Sequence, residues 1–119
     1  LIPMFIRTAY KKEPVFSNSK VVFTIGQTTF KEKLGSDFLK LAAINDNVTK
    51  KELDTFKDAN NAAMFRGGAS FADAISFGAE QVDKKLVEEF SKVKGKKVVK
   101  YNAEGDLTDY LQLYADLAK

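Results

Sequence analysis

The chain alternates between two patterns of hydrophobic and polar residues. Three short runs of β-branched and aromatic residues predict strands, and they lie at residues 20–25, 74–77 and 97–101. The first run is nearly continuous in apolar character and is followed by Gly26, which is typical of a parallel strand buried on both of its faces. Between these runs, apolar residues recur at helical spacing.

The segments before the second strand have recognisable helix starts. Pro3 fits the first turn of a helix at the beginning of the chain, and a short helical stretch begins at Ser36. Thr49 and Glu52 have the spacing of a capping box, in which each residue satisfies a backbone N–H of the other. A helix is therefore expected to begin at Thr49 and to bury Leu53 and Phe56.

A pair of glycines lies in the middle of the helix predicted over residues 62–72. Gly67 and Gly68 each cost about 1 kcal/mol relative to alanine in a helix interior, so the pair needs a structural reason. The usual reason is close approach of the backbone to a ligand or to another element of the fold.

Two further helices are predicted after the second strand. Asp83 can cap the first of them, and Gly95 ends it. The last helix begins at about Asp106 and is expected to bury the apolar residues Leu107, Tyr110, Leu111, Tyr114 and Leu117.

Strands that alternate with helices in this way predict an α/β fold with a parallel sheet. The length of 119 residues allows one domain, expected over residues 1–119. Because three strands leave open edges, we expect the rest of the sheet to come from further chain or from a second copy. Ligands of such sheets bind beyond the carboxyl ends of the strands, which here are Gly26-Gln27 and Gly78-Ala79.

Composition excludes several classes of function. With 45% hydrophobic and 29% charged residues, the chain has the balance of a soluble globular domain, and it lacks the roughly 20 consecutive apolar residues of a membrane span. The sequence has no cysteine and no histidine, so Cys/His zinc sites and Ser-His or Cys-His dyads within this chain are excluded. No metal and no cofactor are expected.

The charge pattern does not indicate a nucleic-acid partner. The formal net charge is only +3, and the acid-free group of lysines over residues 92–100 is short and lacks interleaved aromatics. We interpret these lysines as cations near a helix C-terminus and beside a strand, with a phosphate site as the alternative. Glu32 and Glu80 are interpreted as surface carboxylates, because nothing in their spacing indicates the paired acids of a glycosidase.

Several segments resemble the bacterial glycogen and starch synthases. Residues 20–27 are similar to the strand that ends in that family's Thr-Ile-His-Asn motif, and residues 64–80 resemble its Lys-Gly-Gly-Ile, Ala-Asp and Val-Ser sequence. Residues 1–7 are similar to the helix after its His-Asp-Trp-His segment, and residues 96–119 to the end of a shortened branch. The resemblance therefore covers nearly the whole chain, in the family's order and spacing.

The resemblance implies a fold and a function. It implies a Rossmann-like parallel sheet with alternating helices, forming the later part of the first, acceptor-side domain of a two-domain retaining enzyme. Members of the family transfer glucose from a nucleotide sugar to an α-1,4-glucan, so these are the implied partners, with a cytoplasmic location and neither nucleic acid nor membrane. The family's glycine-rich donor loop and second domain have no counterpart in these residues, and the chain alone is expected to be inactive.

Site residues follow from the matched motifs. The family's sugar-contacting histidine falls on Gly26 and its asparagine on Gln27, which can still donate and accept hydrogen bonds. The family's lysine is replaced by Arg66, which keeps the charge, and its glycine pair matches Gly67 and Gly68. These five positions are the expected substrate-binding residues, and no catalytic residue is assigned because glycine replaces the imidazole.

Two other matched positions have different expected roles. Asp73 matches the Ala-Asp position, and we expect its carboxylate to end a helix or to brace the next strand rather than to contact a ligand. Phe77-Gly78 replaces Val-Ser, so that hydroxyl is lost.

Two alternatives to the enzyme remain open. One is a non-catalytic protein-interaction or carbohydrate-binding module that kept the glycosyltransferase scaffold and lost the histidine. The other is an unrelated small doubly wound regulatory domain, since fold alone does not fix function.

Overall fold

The computed structural model describes residues 1–27 and 29–119. These residues form the predicted alternation of helices and strands, with a short 3-10 turn at Asp54–Phe56. The helices and strands are α1 Ile2–Arg7, β1 Val22–Ile25, α2 Phe38–Ala42, α3 Lys50–Leu53, α4 Asn61–Ser70, β2 Ala74–Phe77, α5 Lys84–Ser91, β3 Lys97–Val99 and α6 Thr108–Leu117.

The chain divides into two compact units. The helical unit contains Leu1–Ser19 and Thr29–Phe71, and the sheet unit contains the described part of Lys20–Thr28 together with Ala72–Lys119. In the part of the chain that the structure describes, no helix is long and apolar enough to cross a bilayer.

The sheet unit contains a parallel sheet in the order β1-β2-β3. Val22 lies opposite Ala74 in the first pair of strands, and Ala74 lies opposite Lys97 in the second. This parallel arrangement with intervening helices confirms the predicted α/β, Rossmann-like fold of a partial domain.

Burial of the strands differs from the expectation for residues 20–25. The central strand β2 is buried at every residue, whereas β1 buries Ile25, leaves Val22 and Phe23 half-buried and exposes Thr24. The prediction that the first strand is buried on both faces was therefore wrong. The reason is position: in the described sheet β1 is an edge strand, while β2 has a neighbour on each side.

The predicted start of α5 is confirmed, whereas its predicted end at Gly95 is wrong, because the helix ends at Ser91 with Lys92 as its C-cap. The carboxylate of Asp83 accepts a hydrogen bond from the backbone N–H of Lys85 (2.8 Å), and the helix buries Leu86 and Phe90. Gly95 follows the helix with a φ of 80°, the left-handed region that favours glycine.

The lysines of residues 92–100 lie where the sequence placed them. Lys92 is the C-cap of α5 and pairs with Glu88 at 3.7 Å, and Lys97 begins β3 and pairs with Asp116 of α6. Their positions at a helix end and beside a strand support the interpretation as surface cations.

The buried face of α6 differs from the prediction. Leu113, absent from the expected set, is 2% exposed, whereas Leu111 is 66% exposed. Leu107 and Tyr114 are also exposed, and Tyr110 and Leu117 are half-buried. Apolar residues occur on two faces of this helix, and it is the face containing Tyr110, Leu113 and Leu117 that packs into the sheet unit.

The helical unit is built around the side chain of Phe56. Its buried core consists of Met4, Ala42, Val48, Leu53 and Phe56, against which the half-buried Phe71 also packs. The rings of Phe56 and Phe71 are nearly parallel, with centroids 6.3 Å apart.

The capping box at the start of α3 is present as predicted. The backbone N–H of Thr49 donates to the Glu52 carboxylate (3.0 Å), and the Thr49 hydroxyl donates to the same group. These hydrogen bonds hold the pKa of Glu52 below its ordinary value, the one from the Thr49 hydroxyl contributing most.

Candidate functional site

The carboxyl ends of β1 and β2 are the first place to look for a ligand, because parallel sheets bind there. Gly26 and Gln27 follow β1, and Gly78 and Ala79 follow β2, as the sequence predicted. Gln27 is exposed. A Cβ built on Gly26 would meet nothing within 4 Å, so packing in this structure does not require glycine at that position.

Two hydroxyl groups meet between the neighbouring strands. Thr24 Oγ1 and Ser76 Oγ lie 2.8 Å apart in a hydrogen bond that pairs β1 with β2. Ser76 is 1% exposed, whereas the Thr24 side chain is exposed. A Cβ built on Gly78 would approach Thr24 Cγ2 to 2.8 Å, so glycine at position 78 is explained by close packing.

Helix α6 lies beside these strand ends and forms a cleft with them. The hydroxyl of Tyr110 donates to the carbonyl oxygen of Phe77, the last residue of β2. The cavity has a volume of about 540 Å³. We call it the tyrosine cleft, and its walls include Thr24, Ser76, Tyr101, Asn102, Leu107, Tyr110, Leu111 and Tyr114.

The phenol of Tyr110 lies within electrostatic range of the phenols of Tyr101 and Tyr114. The pKa of Tyr110 is raised mainly by burial, with smaller contributions from Tyr101, Tyr114 and the carboxylate of Asp109. Tyr110 therefore remains a neutral donor to Phe77 over the whole neutral range of pH.

Asp73 braces the first strand, as expected. Its carboxylate Oδ2 accepts a hydrogen bond from the backbone N–H of Val21 (2.6 Å), and its own N–H donates to the Val21 carbonyl (2.8 Å). These bonds tie the start of β1 to the start of β2, which is the structural role predicted for this residue.

The Arg66-Gly67-Gly68 segment belongs to the helical unit and lies within α4. Arg66 is exposed, and both glycines are buried. A Cβ built on Gly67 would overlap the ring of Phe56. Of the two reasons that the sequence suggested for the glycine pair, close approach of another element thus accounts for Gly67.

The structure places the five expected substrate-binding residues in different units. Gly26 and Gln27 belong to the sheet unit, and Arg66, Gly67 and Gly68 to the helical unit. A substrate contact at each of these positions stays a prediction. Glu32 and Glu80, the candidate carboxylates, are both exposed.

Sequence reasoning missed the tyrosine cleft. The sequence pattern predicts Tyr110 and Tyr114 on the packing face of the last helix and Tyr101 in the third strand. The signal that was present is the density of tyrosine, since three of the chain's four tyrosines occur within residues 101–114. Only the structure shows which face of α6 is turned toward the strands, and therefore that the three tyrosines line one cavity.

Comparison with known proteins identifies the family. The family model described as "Starch synthase catalytic domain" matches residues 1–101. Two curated proteins named "Glycogen synthase", from Thermotoga petrophila (strain ATCC BAA-488 / DSM 13995 / JCM 10881 / RKU-1) and Thermotoga sp. (strain RQ2), are each 30% identical over 77 residues.

The aligned region is a small part of these relatives. It covers 64% of this chain and 15% of each Thermotoga protein. No solved structure matches the chain significantly. The match over residues 1–101 excludes the alternative of an unrelated regulatory domain, and the chain belongs to the starch synthase catalytic domain family.

Proposed function

We propose that this chain contributes the later part of the acceptor-side domain of a cytoplasmic glucosyltransferase. The enzyme would transfer glucose from a nucleotide sugar to the end of an α-1,4-glucan, with retention of configuration. The observation that supports this proposal most strongly is the family match over residues 1–101, which includes the motif segments after β1 and in α4.

Gln27 is the residue of this chain that we expect to contact the sugar with its side chain. It is exposed just beyond the carboxyl end of β1, at the position of the family's asparagine. Its amide can donate to one sugar hydroxyl and accept from another. Gly26, immediately before it, leaves open space and would let the sugar approach the backbone.

Arg66 is expected to supply positive charge to the substrate. It is exposed on α4, and a guanidinium can form two parallel hydrogen bonds to a phosphate. Gly67 and Gly68 would support Arg66 indirectly, because the packing of Gly67 on Phe56 fixes the position of the helix from which Arg66 projects.

The 119-residue chain alone is proposed to be inactive. Its aligned region covers only 15% of the Thermotoga glycogen synthases, and Gly26 has no side chain to supply hydrogen bonding or proton transfer. The polar groups for transfer must then come in large part from residues outside this chain.

A substitution at Gln27 tests the proposed sugar contact in the native gene product. Gln27→Ala is expected to lower glucose transfer by about tenfold or more, because a hydrogen bond to the reacting sugar is lost. Gln112→Ala is the matched control, since Gln112 is also exposed but lies on α6, and it should leave transfer unchanged. Equal activity of the Gln27→Ala and wild-type proteins would contradict the assignment.

A second candidate function is a non-catalytic protein-interaction or carbohydrate-binding module on the same scaffold. Gly26 favours it, because the family's sugar-contacting imidazole is missing there and nothing nearby occupies its space. This candidate predicts that the native product binds an α-glucan and transfers no glucose to it from any nucleotide sugar.

A further inference from the structure

Helix α6 carries a row of apolar side chains that the described part of the chain leaves open to solvent. Leu107 is 61% exposed, Leu111 66% and Tyr114 51%, and Ala118 at the end of the row is exposed as well. We call these four residues the α6 stripe. Single exposed apolar residues are ordinary on a protein surface, whereas a contiguous group of them marks an interaction surface.

The α6 stripe is continuous along one face of the helix. The backbone N–H of Leu111 donates to the carbonyl of Leu107 (3.0 Å), and the N–H of Ala118 donates to the carbonyl of Tyr114 (3.0 Å), so the residues of each pair are one helical turn apart. Alternating steps of four and three residues are also the spacing of the apolar seam between two paired helices. The buried Leu113, which packs into the sheet unit, lies on a different face.

The α6 stripe is complementary to itself when two copies of the helix run antiparallel. A single register then places Leu107 opposite Ala118 and Leu111 opposite Tyr114. The same two pairs recur on the other side of a twofold axis, which is the arrangement of an isologous interface. Every residue of the stripe therefore gains an apolar partner from the second copy.

The charges at the two ends of α6 favour the antiparallel arrangement over the parallel one. Asp106 and Asp109 lie at its N-terminal end, and Lys119 follows its C-terminal end, where its ammonium group is 3.6 Å from Asp116. An antiparallel pair brings the aspartates of one copy to the end that carries Lys119 of the other, and it also aligns the helix dipoles favourably. A parallel pair would bring the aspartates of both copies together, where they repel.

We infer that α6 is an interface between two copies of this protein, which pair antiparallel through the α6 stripe. Three of its residues also line the tyrosine cleft, so the facing helix lies across the mouth of that cleft. The family match ends at residue 101, before α6 begins. The pairing requires no glucose transfer and does not depend on the proposed enzymatic function.

The size of the helix sets the expected strength of the association. Helix α6 has 10 residues and is therefore about 15 Å long. Two such helices bury less than the roughly 1,200 Å² of a standard interface, which is the range of weak and transient complexes. A dissociation constant on the order of 100 µM is expected.

The test is sedimentation velocity of the native gene product at concentrations from about 5 to 500 µM, a range that brackets this dissociation constant. A reversible shift from monomer to dimer is expected. Leu111→Glu should weaken the association about tenfold or more, because it places a carboxylate in the apolar seam. Leu41→Glu is the matched control, since Leu41 is 75% exposed but lies on α2 of the helical unit, and it should leave the association unchanged.

A mixture of two charge variants tests the antiparallel register. Tyr114→Lys alone should also weaken the association, but mixing it with Leu111→Glu should restore it. The reason is that position 111 of one copy lies opposite position 114 of the other, where the introduced carboxylate and ammonium groups attract. In a parallel pair each position faces its own equivalent, so mixing would restore nothing. Circular dichroism of each variant alone checks that it folds.

Three results would overturn the inference. The first is a monomer at every concentration, and a loss of stability in monomeric Leu111→Glu would then assign the α6 stripe to packing within one native chain. The second is equal association of Leu111→Glu and the wild type. The third is a mixture of the two charge variants that associates no better than either alone. Glucose transfer is measured separately, so its failure would leave these results unaffected.

Discussion

At the scale of single residues, Gly67 is a position where a neighbouring aromatic ring leaves no room for a side chain. It lies inside α4, and the ring of the fully buried Phe56 occupies the space of a side chain. Glycine in a helix costs about 1 kcal/mol relative to alanine, and here its lack of a side chain lets the ring of Phe56 pack directly on the helix backbone.

Gly67→Ala is therefore expected to destabilise the protein despite the better helix propensity of alanine. Overpacking against Phe56 costs about 1–3 kcal/mol and the helix propensity of alanine contributes about 1 kcal/mol in the other direction, so the net loss in the free energy of unfolding should reach about 2 kcal/mol. Chemical denaturation measures this change.

Two further variants give this prediction its controls. Gly35→Ala, where an added Cβ meets nothing within 4 Å, should change stability by less than about 1 kcal/mol. In a Phe56→Leu background, Gly67→Ala should cost less than in the wild type, because the ring is gone. The same cost in both backgrounds would show that the ring is not the cause.

The requirement for glycine at position 67 could be predicted from the sequence only in part. A glycine pair in a helix shows that something approaches closely, and the capping box and Phe56 could also be predicted from local spacing. Which element approaches Gly67 depends on tertiary packing, and local spacing does not contain that information.

At the scale of elements, the start of α3 depends on the ionised carboxylate of Glu52. The folded-state pKa of Glu52 is lowered by its hydrogen bonds to Thr49, so the carboxylate stabilises the folded protein above the ordinary glutamate pKa of about 4.3. This contribution should be lost as the pH falls through the lower, folded-state value.

Amide hydrogen exchange at Thr49 and Leu53 across this acidic range measures the effect, after correction for the intrinsic rate. Glu52→Gln is the control, because glutamine also completes a capping box and does not ionise. In the Glu52→Gln variant, the protection of the Thr49 and Leu53 amides from exchange should not change with pH over this range. An equal pH dependence in the wild type and the variant would contradict the assigned role of Glu52.

A hydrogen bond from Tyr110 contributes to holding α6 beside β2. Tyr110→Phe removes the donor to the Phe77 carbonyl and should lower the free energy of unfolding by about 1 kcal/mol. Tyr114→Phe removes a hydroxyl from an exposed residue on the same helix and should change stability by less than about 0.5 kcal/mol.

The pH dependence of the Tyr110 contribution has the opposite sign to that of Glu52. Because the folded-state pKa is raised, chiefly by burial, the contribution is fully present below the ordinary tyrosine pKa of about 10 and is lost as the pH rises through the folded-state value. An ultraviolet titration should show a tyrosine that ionises above the ordinary tyrosine pKa, and Tyr110→Phe should remove this component.

The helices and strands differ in how well sequence predicted them. The start of α5 could be predicted because Asp83 caps it through local contacts. The buried face of α6 could not, because Leu111 and Leu113 are both apolar and only the neighbouring strands decide which one is covered. For the same reason the edge position of β1 could not be predicted from its composition.

At the scale of the whole molecule, family membership and function rest on different observations. The family follows from motifs that are local in sequence, such as the run that ends in Gly26-Gln27, and these could be recognised without the structure. The tyrosine cleft depends on the packing of α6 against two strand ends, so only the structure could show it.

The most direct test of the proposed function is an assay of glucose incorporation into an α-1,4-glucan primer from a labelled nucleotide sugar. The assay compares the native gene product with the isolated 119-residue chain, whose folding is checked by circular dichroism. We predict incorporation by the native product and none by the isolated chain. Failure of the native product to transfer glucose would contradict the enzymatic assignment, and transfer by the 119 residues alone would contradict the expected inactivity of a chain with glycine at position 26.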